Sequence, residues 1–132
     1  MIQFSLDRNK NITVAFDEGS ESWFIINRND EVFNVSKEKN LTSLLQLLEE
    51  SPQDFVERIR SLTTSNEAIT NLPISDLIEF CIENHLIYWL SLAVKWLQFF
   101  PISENLKNAI TGIREDKAFP QKLRHELLKA IK

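Results

Sequence analysis

Cysteine occurs once, glycine twice, histidine twice and proline four times in 132 residues, and each scarcity removes a class of protein. A lone Cys81 cannot close an internal disulfide, so the fold must rest on a hydrophobic core. With Gly19 and Gly112 as the only glycines, and neither in a strand-to-helix turn of the right kind, the usual phosphate-cradling loops are excluded. Few prolines and glycines also leave little room for flexible linkers. Cys81, His85 and His125 offer too few ligands for a metal centre unless carboxylates complete it, and neither metal nor cofactor is expected. The most apolar stretch, Leu86 to Phe100, is shorter than the roughly 20 residues that span a bilayer and carries Lys95 and Gln98. It reads as a buried helix. Met1 to Asp7 has neither the basic start nor the apolar run of an export signal, which makes the cytoplasm the expected location. The acceptor-like triplets Asn11-Ile12-Thr13, Asn34-Val35-Ser36 and Asn40-Leu41-Thr42 matter only in a secreted chain.

What is present is hydrophobic patterning that changes period once. Ile2, Phe4 and Leu6 alternate with polar neighbours, as do Ile12, Val14 and Phe16, the period of two that marks half-buried strands. Arg8-Asn9-Lys10-Asn11 is the expected turn between them. Trp23-Phe24-Ile25-Ile26 forms a third run, Asn27 to Asp30 a second turn, and Glu31 to Ser36 a fourth run. Short connections imply an antiparallel meander over residues 1–36. From residue 41 the period becomes helical, beginning with the stripe Leu41, Leu44, Leu45 and Leu48. Ser51-Pro52 then starts a helix with Phe55, Val56, Ile59 and Leu62 inward, and Ser75 is expected to cap the next, ended by Asn84-His85. Three further helices follow, at about 86–100, from Ser103 to about Arg114, and from Pro120 to the end. The expectation is a single α+β domain over 1–132, a four-stranded antiparallel β-meander packed against a bundle of five to six helices.

Charge is distributed unevenly. The net balance is −2 over residues 1–40, −5 over 41–100 and +3 over 101–132, giving −4 for the chain. An acidic middle opposes nonspecific affinity for phosphate backbones. Asp76, Glu79 and Glu83, at i, i+3 and i+7, form one acidic helical stripe, suited either to solvation or to docking a basic partner. Lys122, His125, Lys129 and Lys132 share a face of the last helix with Arg124 beside it, the feature a nucleic-acid binder would use together with Lys107, Arg114 and Lys117. Positive residues near a helix C-terminus also simply complement its dipole. Cys81 and His85 stand four apart, the least a small enzyme would need for an activated thiolate, but Cys81 falls among Leu77, Ile78 and Ile82, as a buried inert thiol does. Trp89, Ala93, Trp96 and Phe100 form a stripe that reads as core. Trp23, Phe24, Ile25 and Ile26 are apolar on both strand faces, so one pair is expected to be exposed as a contact surface.

Two segments, Tyr88-Trp89-Leu90-Ser91-Leu92-Ala93-Val94-Lys95-Trp96-Leu97 and Phe119-Pro120-Gln121-Lys122-Leu123-Arg124-His125, resemble the helical endings of small bacterial immunity proteins of contact-dependent or polymorphic toxin systems. The resemblance covers about a third of the chain and assigns no role to any residue. It implies a cytoplasmic, non-enzymatic protein that binds one cognate toxin domain, a basic one given the acidic chain, and blocks its active site or assembly. A small regulatory nucleic-acid binder and a small enzyme are the alternatives.

Overall fold

A computed structural model describes residues 1–6 and 11–132, which make an N-terminal four-stranded antiparallel sheet followed by six α-helices. Of the expected turn Arg8-Asn9-Lys10-Asn11, all but Asn11 lies outside the described residues. Two compact units divide the chain, Met1–Pro73 and Ile74–Lys132.

In the first unit, strands β1 (Ile2–Ser5), β2 (Ile12–Asp17), β3 (Ser22–Asn27) and β4 (Val32–Val35) pair in sequence order. Register decides which alternate residues face inward. Phe4 opposes Val14, Phe16 opposes Trp23, Val14 opposes Ile25 and Trp23 opposes Val35, and all of these are buried. Helix α1 (Pro52–Leu62) lays Phe55 on this face, its ring 5.3 Å from that of Phe4 and 6.1 Å from that of Trp23. The short helix α2 (Glu67–Thr70) meets the same face, where the Ala68 carbonyl accepts a 2.8 Å hydrogen bond from the Trp23 indole N–H. The β3–β4 turn is held by Asn27, whose Oδ1 accepts from the backbone N–H groups of Asn29 and Glu31.

Between β4 and α1 the chain winds as a 3₁₀-helix, Leu41–Glu49, far longer than the three or four residues such runs usually hold. At about 2.0 Å of rise per residue against about 1.5 Å in an α-helix, nine residues reach roughly 18 Å rather than 13.5 Å. The tighter winding also rotates the apolar stripe. Leu44, Leu47 and Leu48 are buried, while Leu41 and Leu45, expected inward from α-helical spacing, are half-buried. Ser51 caps α1 as expected, its Oγ accepting from the Asp54 N–H with Pro52 at the first helical position. Leu62, expected inward, is 53% exposed because the helix ends there and Thr63 is already extended.

The second unit is all helical: α3 (Ile74–Glu83), α4 (Ile87–Ala93) running into a 3₁₀ turn at Val94–Gln98, α5 (Glu104–Gly112) and α6 (Gln121–Ala130). Leu77, Ile78, Cys81, Leu90, Trp96, Leu106, Ile110, Phe119 and Leu127 are among its buried side chains. Ser75 is not a cap, since α3 already includes Ile74. Its Oγ instead donates to the Pro101 carbonyl at 2.8 Å and accepts from the Ser103 N–H at 3.1 Å, fastening the approach to α5. Ser103 does cap α5, accepting from the Leu106 N–H. Helix α3 ends in a paired closure: the His85 N–H donates to the Ile82 carbonyl and the Leu86 N–H to that of Cys81, with His85 left-handed at φ 53°. Glycine is the usual residue there, and His85 instead stacks its ring on Phe119 at 4.9 Å.

Candidate partner-binding surface

The acidic stripe lies where the helical spacing put it, on α3 opposite the buried Leu77, Ile78, Cys81 and Ile82. Asp76 and Glu79 are half-buried and Glu83 is exposed. Among the described residues none of the three carboxylates makes an ion pair, whereas Glu104 and Glu126 do, with Lys107 and Lys122. Glu79 goes further: its Oε2 is buried and accepts no hydrogen bond from any described group. Unpaired carboxylates on one face create a negative field that opposes anions and attracts cationic groups.

The strand candidates divide. Trp23 and Ile25 are core residues, 1% and 4% exposed, and the expectation that they contact a partner is corrected: their face of β3 is the one covered by α1 and α2. Phe24 and Ile26 occupy the other face, half-buried, opposite Ala15 and Thr13 on β2 and Asn34 and Val32 on β4. Val32 is itself 50% exposed, so this face carries a small apolar patch at the β4 edge. The edge is partly closed by Asn40, whose amide donates to the Asn34 carbonyl at 2.8 Å.

Helix α4 holds a surface that hydrophobicity hid. Its aromatics read as core, yet Trp89 is half-buried and Tyr88 is 57% exposed, with the two adjacent rings edge-to-face at 5.1 Å, whereas Trp96 and Phe100 further along the stripe are buried. The signal was present in polar spacing: Ser91 and Lys95, three and seven residues after Tyr88, are exposed on the same stripe.

The alternatives fare differently. Cys81 is buried and burial pushes its thiol up to about 11, so at neutral pH it holds its proton and lacks the nucleophilic thiolate. Arg124 is withdrawn from the basic face of α6, because its guanidinium donates to the Phe119 carbonyl at 3.0 Å and the Arg114 carbonyl at 2.7 Å. Glu126 sits within that face and pairs with Lys122 at 3.9 Å, diluting its positive field. Among the described residues no group of three or more His, Cys, Asp and Glu side chains could hold a metal ion, and no helix is long and apolar enough to cross a membrane. No family model, curated protein or solved structure matches this chain.

Proposed function

We propose that the chain is a non-enzymatic protein-binding module whose α3 face docks a basic partner, and that the partner is a cognate toxin domain neutralised by direct binding, as the resemblance of its C-terminal helices to immunity proteins implies. The observation that carries the reading is the set Asp76, Glu79 and Glu83, three carboxylates on one helical face with no ion pair among the described residues. Basic side chains in a toxin's substrate cleft would be drawn to this face over long range, and occupancy of the cleft would block substrate. A proton-holding Cys81 and the withdrawal of Arg124 into the fold weigh against the enzyme and nucleic-acid readings.

The test is the triple reversal Asp76→Lys, Glu79→Lys and Glu83→Lys, measured against a toxin domain encoded beside the gene for this chain. With the fold confirmed by circular dichroism, association should slow by at least about tenfold at low salt and lose most of its salt dependence, the behaviour of charges that steer encounter. Co-expression of the unmodified chain should restore growth to cells making the toxin, and the reversed chain should not. Unchanged association rate, affinity and salt slope would remove α3 from the interface, and absence of any binding by the unmodified chain would end the toxin reading.

A further inference from the structure

Strand β4 is the last of the sheet and pairs only with β3. The Asn27 N–H donates to the Glu31 carbonyl, so these two residues form a hydrogen-bonded pair where the β3–β4 ladder begins. Alternation from that pair turns the backbone of Phe33 and Val35 towards β3 and the backbone of Val32 and Asn34 outward. The Asn34 carbonyl accordingly meets the Asn40 amide from outside the sheet. Among the described residues no hydrogen bond engages the Val32 N–H, the Val32 carbonyl or the Asn34 N–H. Side chains along this edge are apolar on both faces. Val32 is 50% exposed on the outer face, and Phe33, opposite the core residue Ile25, is 39% exposed because no strand lies beyond β4. Val32–Val35 holds no proline or lysine, residues that keep such an edge from pairing.

Charge selects the strand that fits. Arg28, Asp30 and Glu31, before β4, sum to −1, and Lys37, Glu38 and Lys39, after it, sum to +1; all six are exposed. A second copy of β4 laid antiparallel sets each acidic end against a basic one, whereas a parallel copy would set like beside like. One antiparallel register uses every outward group. It places Val32 of each copy opposite Asn34 of the other, gives about four backbone hydrogen bonds, and brings the two Phe33 side chains opposite each other at the two-fold axis. The Asn34 carbonyl keeps a second lone pair beside the Asn40 amide. From this geometry we infer that the chain self-associates by antiparallel pairing of β4 with β4, forming one sheet continuous across two copies, on a surface separate from the acidic stripe of α3. A four-residue strand buries far less than the roughly 1,200 Å² of a stable interface, so the dimer is weak and concentration-dependent.

Sedimentation velocity of the whole chain should show monomer at about 10 μM and a growing dimer fraction towards about 1 mM, the scale of weak contacts. The Val32 and Asn34 amides should shift over the same range in ¹⁵N–¹H spectra. Phe33→Lys sets two ammonium groups opposite each other and should abolish both effects, with the circular dichroism spectrum unchanged because the position is exposed. Glu31→Lys should weaken the dimer about threefold or more by placing a cation against a basic end, and adding Lys37→Glu should restore it. A chain that stays monomeric at the upper concentration, a dimer that survives Phe33→Lys, or a double charge exchange that fails to recover association would each overturn the assignment. Shifts at Val32 and Asn34 that appear only when a toxin domain is added would overturn it in favour of a foreign strand on this edge.

Discussion

Replacing Trp23 with Phe separates a core residue from a contact residue more sharply than any other single change in this chain. The indole N–H donates to the Ala68 carbonyl at 2.8 Å, and both residues are 1% exposed. Phenylalanine keeps an aromatic ring among Phe4, Phe16 and Phe55, whose centroids lie 5.7, 5.2 and 6.1 Å from that of Trp23, but brings no donor. The Ala68 carbonyl is then left buried and unbonded, at a cost of about 1–3 kcal/mol. The lost pyrrole edge removes roughly one to two methylene equivalents of apolar contact, about another 1 kcal/mol. The sum, about 2–4 kcal/mol, should lower the melting temperature of a unit of this size by roughly 8–32 °C. Trp23→Ala should exceed it, because a large aromatic cavity alone costs about 3–5 kcal/mol. Urea unfolding followed by circular dichroism measures the difference at fixed m-value, which confirms that the native state is not otherwise expanded. A loss below about 0.5 kcal/mol for Trp23→Phe, typical of surface positions, would refute the placement of Trp23 in the core and return it to the list of contact residues.

Other expectations follow from the same geometry. His85→Gly should be more stable than His85→Ala by about 1 kcal/mol in thermal melts, since both lose the ring stack on Phe119 but only glycine takes the left-handed conformation without strain; equal melting would show that the closure of α3 is not left-handed. Cys81 should resist iodoacetamide in the native protein at pH 8, and prompt alkylation would place the thiol at the surface. Because its folded value is raised from 9.0 to about 11, the unfolded chain ionises first, so stability is full below pH 9 and falls as pH rises through that window. This fall should vanish in Cys81→Ala, and an identical alkaline profile for the two proteins would contradict it. Acrylamide should quench Trp89 fluorescence before that of Trp23 and Trp96, and loss of the readily quenched component in Trp89→Phe is the check.

Local chemistry was readable directly from the residues. Alternation at Ile2 to Leu6 and Ile12 to Phe16 specifies strands because successive side chains leave opposite faces of the pleat, and Ser51-Pro52 and Ser103 mark helix starts because a capping hydroxyl needs only the next few amides. The acidic stripe on α3 followed from helical spacing alone. Tertiary structure decided what depends on distant partners. Trp23-Phe24-Ile25-Ile26 is apolar on both faces, and only pairing with Phe16 and Val14, together with cover from Phe55 and Ala68, turned Trp23 and Ile25 inward. The leucines at 41–49 carry an α-helical pattern, yet they wind as a 3₁₀-helix with a different set of residues buried. Ser75 resembles a cap in isolation, but the backbone near Pro101 offered its hydroxyl a longer-range pair of bonds. Tyr88 and Trp89 share the aromatic character of Trp96, and hydrophobicity could not distinguish them, because burial depends on which helical face the neighbouring elements cover.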